Sequence, residues 1–144
     1  MSSGAAFWDA SSLIPLFVRE TVSSRARARA RNLSTITWWT TPVEIRSAFA
    51  RLRRQGALSG FEFQVAIEGL EATKTGWLEI APSDELRGLA ADLLDQYPLR
   101  TGDSLQLAAA LVWCREKPAG RQFICQDIRL CDAASQAGFT VIQL

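Results

Sequence analysis

Short apolar runs alternate with helix-period segments along almost the whole chain, and this alternation decides what it can fold into. Ala5 to Asp9, Ile36 to Thr40, Trp77 to Ala81, Gln122 to Cys125 and Phe139 to Leu144 read as strands. The segments between them carry helix start signals. Ser11 or Ser12 caps a helix through about Glu20, with Pro15 in its first turn, and Ser23 to Arg31 is an Arg-Ala-rich helix. Thr41-Pro42-Val43-Glu44 opens another, with Thr as cap, Pro at the first helical position and Glu at the third. Ser59 with Glu62 forms a capping box, Pro82 and Ser83 start a further helix, and Thr101 caps the next. A last helix follows Asp127 and stops at Gly138. Without repeats or linkers, this order predicts one domain over residues 1–144. The class is an α/β sandwich, with a mainly parallel central sheet flanked by helices.

The chain has no histidine, which excludes Ser-His-Asp and Cys-His catalysis and His-ligated zinc or iron. Proton transfer must then use carboxylates, lysine, tyrosine or metal-bound water. A net charge of +1 announces no nucleic-acid binder, so any such binding rests on local patches. Cys114, Cys125 and Cys131 form neither a CxxC pair nor a zinc spacing, and are expected to be reduced, buried thiols. No apolar run approaches the roughly 20 residues of a membrane span, and no secretion signal opens the chain. A cytoplasmic protein with no membrane association is expected.

Four acids lie where an apolar strand gives way to a turn or a helix start: Asp9, Glu44, Asp103 and Asp127. In a parallel α/β sheet each helix begins near the carboxyl end of the preceding strand, and ligands bind at that edge where the strand order reverses. Asp9 ends the first strand, Glu44 follows the second and Asp127 follows the fourth. Asp103 sits in the first turn of a returning helix. A helix N-terminus stabilises one carboxylate by about 0.3–1 kcal/mol. Four gathered carboxylates repel one another by more than that unless some protonate or a cation binds. Oxygen-only ligands favour Mg²⁺ or Mn²⁺, which suits a metal-dependent phosphodiesterase. Each acid also has an ordinary reading: Glu44 as part of a capping box, Asp103 as a helix-dipole partner, Asp127 as a cap. Asp9 is hardest to explain that way, because a carboxylate ending an apolar strand needs a partner.

With these residues in place, the chain resembles a PIN-domain ribonuclease of the VapC toxin type over essentially its whole length. FWDASSLIPLF (Phe7 to Phe17) resembles the family's opening strand with its Asp-x-Ser, and TTPVEIRSAFARL (Thr40 to Leu52) the segment with its Glu. YPLRTGDSLQLAAAL (Tyr97 to Leu111) resembles the segment with the third acid, and FICQDIRLCDAASQAGF (Phe123 to Phe139) the closing strand, fourth acid and final helix. The resemblance implies an endoribonuclease using Mg²⁺ or Mn²⁺, with Asp9, Glu44, Asp103 and Asp127 as metal ligands and Ser11 ordering them. It also implies a homodimer and a cognate VapB-type antitoxin that blocks the site. Gln106 departs from a common His, and Cys125 from a common Thr or Ser. The first departure is expected to be harmless; the second weakens support for Asp127.

Arg46, Arg100 and Arg129 lie near these acids in sequence and are the candidates for binding RNA phosphates. Trp38 and Trp39, adjacent in a strand, point to opposite faces and are expected to pack under helices. The competing reading is a catalytically inactive PIN-like module that only binds a partner. A phosphoacceptor or nucleotide-binding domain is disfavoured: Asp9-Ala10-Ser11 is not Asp-x-Asp, and there is no GxGxxG or GxxxxGK[ST].

Overall fold

A computed structural model describes residues 4–144. Its five-stranded sheet has the order β3-β2-β1-β4-β5, and every neighbouring pair is parallel. The strands are β1 (Gly4–Trp8), β2 (Leu33–Trp38), β3 (Leu78–Ile80), β4 (Gln122–Cys125) and β5 (Thr140–Gln143). On one face lie α1 (Ala10–Leu13), α2 (Ser23–Asn32), α3 (Thr41–Arg54) and α4 (Gly60–Thr73). On the other lie α5 (Asp84–Gln96), α6 (Thr101–Trp113) and α7 (Ile128–Ala137).

The central strand shows why this sandwich forms. Ala6, Phe7 and Trp8 are all fully buried, as expected of a parallel strand covered on both faces. Phe7 stacks on Phe123 with ring centroids 5.3 Å apart, in the core beneath α5, α6 and α7. Ala6 and Trp8 point the other way, against Leu13, Ile45, Phe49 and Leu70. Full burial of each large apolar side chain contributes roughly 1.5–3 kcal/mol. From β1 the chain winds outward through β2 and β3, then crosses back to β4 on the other flank of β1. The strand order therefore reverses between β1 and β4.

Several local expectations are corrected. The helix after Asp9 ends at Leu13 and passes into a 3-10 turn over Ile14–Leu16, instead of running on to about Glu20. Pro15 has no N–H to donate to the Ser11 carbonyl, and that oxygen accepts from the Gln126 side-chain amide at 2.8 Å instead. The cap of α1 is Asp9, not a serine. Thr41 and Thr101 are first helical residues, preceded by Thr40 and Arg100 at the cap positions. The Ser59–Glu62 capping box is present as expected.

Two further corrections concern side chains. Cys125 and Cys131 are joined in a disulfide, and Cys114 alone is a free, buried thiol. The chain reverses between the end of β4 and the first turn of α7, which brings their Cα atoms to 6.1 Å, within bridging range. Trp38 is buried, but Trp39 is 58% exposed, because β2 ends at Trp38 and no helix covers the next position. No described helix is long and apolar enough to cross a membrane.

Candidate active site

The carboxyl ends of β1 and β4 are tied together at the reversal of strand order. The Asp9 backbone N–H donates to the Ile124 carbonyl at 3.0 Å. The buried Ser12 hydroxyl lies 2.6 Å from the Asp9 carbonyl and 3.1 Å from that of Ile124, closing the two strand ends over one another. Gln126 ties the β4–α7 loop to α1 through the Ser11 carbonyl.

On this framework Asp9 is only 5% exposed. Its Oδ2 accepts from the Ser11 backbone N–H at 3.3 Å and from the Ser11 hydroxyl. Burial pushes its carboxyl up to about 7; the Ser11 hydroxyl opposes the rise, and the charges of Glu44 and Asp103 add to it. The structure thus places Asp9, Glu44 and Asp103 within electrostatic reach of one another.

Glu44 projects from the first turn of α3. Its Oε1 accepts from the Thr40 hydroxyl at 2.8 Å, and its Oε2 from the Gln106 side-chain amide at 3.1 Å. The same amide nitrogen reaches the Thr41 hydroxyl at 3.1 Å. Glu44 therefore does not cap its own helix; side chains of Thr40 and α6 hold it in the cleft. Its carboxyl is raised by burial and by Asp103, against the two hydrogen bonds. Gln106 is 1% exposed, and its Oε1 has no hydrogen-bond partner. The Gln106–Glu44 contact ties the second turn of α6 to the first turn of α3, one helical turn along α6 from Asp103.

Asp103 accepts from the Arg100 backbone N–H at 3.3 Å. Burial raises its carboxyl and the Asp127 charge adds to this, while the Arg100 N–H and the charges of Arg100 and Arg129 hold it down. Asp127 is exposed and caps α7, accepting from the Leu130 N–H at 3.1 Å. Arg100, Asp103, Asp127 and Arg129 line a charged cavity of about 350 Å³. Arg46 is instead drawn toward α4, where its guanidinium lies 3.8 Å from Glu71.

The four acids are thus brought to one edge, as a linked series. Asp9 feels Glu44 and Asp103, and Asp103 feels Asp127. As the side chains stand, each also has a local donor, and among the described residues no three potential ligands converge on a single ion position. The donor set is all oxygen, which suits Mg²⁺, an ion commonly held by one or two carboxylates with water completing its shell. Residue-by-residue reading of the sequence missed Thr40, Ser12, Gln126 and the role of Gln106. For Gln106 a signal existed: it is one polar residue inside the apolar run from Leu105 to Leu111.

No family model matches the chain, and no curated protein matches it. Solved structures do. A toxin–antitoxin complex from Klebsiella pneumoniae contains a chain 15% identical to this one, matched over 85% of this chain and 87% of that, with a TM-score of 0.61. FitAcB from Neisseria gonorrhoeae is 16% identical over 96% of each chain, with a TM-score of 0.67. FitAB bound to an IR36 DNA fragment is 17% identical over 96% and 94%, with a TM-score of 0.64. The likeness extends over nearly the whole chain and shows the fold, a PIN-type α/β/α sandwich.

Proposed function

We propose that this PIN-type chain is a metal-dependent endoribonuclease, the toxin of a toxin–antitoxin pair, with Asp9, Glu44, Asp103 and Asp127 as its acidic centre. The observation that carries the reading is Asp9, a buried carboxylate at the β1/β4 reversal, with Glu44 and Asp103 adding negative charge to an already desolvated site. A divalent cation offsets that charge; Mg²⁺, or Mn²⁺ in its place, suits oxygen donors. When bound, such an ion supplies charge neutralisation at a phosphate and a water of lowered pKa. Ser11 keeps Asp9 oriented, and Thr40 and Gln106 do the same for Glu44. Arg100 and Arg129 line one cavity with Asp103 and Asp127, and in this reading they receive the RNA phosphates. Arg46, paired with Glu71, is the weaker candidate for that role.

The toxin assignment is supported by the likeness to a chain of the Klebsiella toxin–antitoxin complex. A partner surface is supported by α4, where Phe61 (79% exposed) and Val65 (49% exposed) lie one turn apart on the same side. A homodimer and a VapB-type antitoxin are the partners this reading calls for. The test is cleavage of RNA by the purified chain with and without Mg²⁺ or Mn²⁺, beside Asp9→Asn and Asp103→Asn. Cleavage that requires the ion and is lost in both variants supports the reading; equal cleavage by the variants ends it.

The second reading, an inactive PIN-like interaction module, is favoured by one observation: no three ligands converge among the described residues as the side chains stand. Calorimetry separates the two. Mn²⁺ uptake that disappears in Asp9→Asn argues for the nuclease, and no uptake by the unaltered chain argues for the module.

A further inference from the structure

A second cavity, of about 500 Å³, adjoins the charged one and shares Asp127 with it. It opens between the 3-10 turn after α1, the C-terminal half of α3 and the β4–α7 loop. Its floor is apolar, formed by Ile14, Val18, Leu52 and Leu58. Ser11, the residue that orients Asp9, forms part of its wall. Arg19 and Arg51 stand at its rim; both are exposed, and neither is ion-paired among the described residues. Glu20 adds a carboxyl raised by burial. An apolar floor with a few polar groups at the edge, at this volume, is the make-up of a small-molecule or nucleotide pocket.

We propose that this cavity is a nucleotide subsite, which receives the base of an unpaired ribonucleotide next to the phosphate held in the charged cavity. The inference rests on the nuclease reading and extends it to the substrate: a single-stranded or looped RNA whose base is turned out of its stack. The shared wall carries the argument. One route for a polynucleotide with a phosphate between Arg100 and Arg129 runs past Asp127, the residue both cavities share. Past Asp127 lies the apolar floor, with two free guanidiniums at its edge. Guanidinium planes stack on bases and pair with phosphates, and unstacked bases are what single-stranded RNA offers. The carboxyl of Glu20 adds an acceptor for a base amino group, which gives the cavity a means of choosing among bases.

The probe is a labelled single-stranded RNA oligonucleotide of mixed sequence, bound without divalent metal so that no cleavage intervenes. Arg19→Ala combined with Arg51→Ala changes only exposed side chains and leaves the core untouched. Loss of guanidinium–base stacking at exposed sites predicts roughly twofold to fivefold weaker binding for each arginine removed. If both guanidiniums pair with phosphates, the slope of log affinity against log salt falls by about 0.7 for each phosphate no longer neutralised. Mn²⁺ affinity stays at its unaltered value, and with Mg²⁺ present KM for RNA rises more than kcat falls. Unchanged RNA affinity in the double variant, while the unaltered chain still cleaves RNA, overturns the subsite and leaves the nuclease reading standing. An unaltered chain that neither binds nor cleaves RNA overturns both. A double variant that shifts from dimer to monomer in sedimentation at unchanged RNA affinity makes the cavity a seat for a second copy, and overturns the proposal too.

Discussion

The side-chain amide of Gln106, buried in α6, donates to the Glu44 carboxylate of α3 across 3.1 Å, joining residues from two helices at the acidic edge. Its nitrogen also reaches Thr41, so one amide serves a carboxylate and a hydroxyl. The Gln at this position, where a His is common, thus keeps a donor on one of the four acids.

Gln106→Leu leaves Glu44 and Thr41 without this donor. Removing a hydrogen bond from a buried polar group costs about 1–3 kcal/mol, and removing a group that orients a metal ligand typically costs about 10–100-fold in metal affinity. Urea unfolding and Mn²⁺ calorimetry report the two effects. Gln106→His, which keeps a ring N–H, recovers part of both. Unaltered Mn²⁺ affinity in Gln106→Leu would show that Glu44 needs no such support.

The Asp9 carboxyl, at about 7 against an ordinary 3.8, makes stability depend on pH with a definite sign. Between these values the unfolded chain releases the proton and the folded chain keeps it. The contribution of Asp9 to stability is therefore greatest below about pH 4, falls as pH rises to about 7 and then levels. A rise of this size corresponds to roughly 4 kcal/mol. Glu44 and Asp103, also raised, push the same way. Thermal unfolding across this range in chelator checks it, with Asp9→Asn showing a shallower slope. Mn²⁺ raises the melting temperature more at pH 8 than at pH 5. An identical slope in Asp9→Asn would remove Asp9 as the cause.

The Cys125–Cys131 disulfide closes a short loop around Gln126 and Asp127. In the chain-entropy picture a loop of this length contributes about 2 kcal/mol. Cys131→Ser lowers stability by about that amount under oxidising conditions and by less under reducing ones. Alkylation of the denatured, unreduced chain followed by mass spectrometry labels Cys114 alone. Labelling of all three cysteines would show the bridge is not formed.

Gly138 ends α7 with φ of +115°, and a Cβ there would meet the Pro118 Cγ at 2.9 Å. Gly138→Ala costs about 1–2 kcal/mol for the left-handed backbone, and more for the displaced ring. Adding Pro118→Ala returns the steric part. Urea midpoints for the single and double variants measure it; no recovery in the double would assign the whole cost to the backbone.

Much of this molecule was legible locally. The β4 limits, the Ser59 capping box and the Gly138 stop follow from short-range rules: apolar run length, reciprocal capping, and the freedom of glycine at positive φ. Errors arose where a distant residue took over a local group. Pro15 was compatible with a continuing helix until the Ser11 carbonyl found Gln126. Cys125 and Cys131 carried no motif, because their approach depends on the reversal between β4 and α7.

Strand–helix alternation and the placement of acids at strand ends were properties of the sequence alone, since period and capping act within a few residues. The folded structure decided which edges meet. Winding through β1, β2 and β3 before crossing to β4 puts Asp9 beside Ile124 and opens the reversal at which Asp103 and Asp127 line one cavity. It also decided that Arg46 turns to Glu71 and that Gln106 serves Glu44. Those outcomes depend on packing between residues dozens of positions apart, where local propensity carries no information and only the summed burial of both faces of the sheet selects the arrangement.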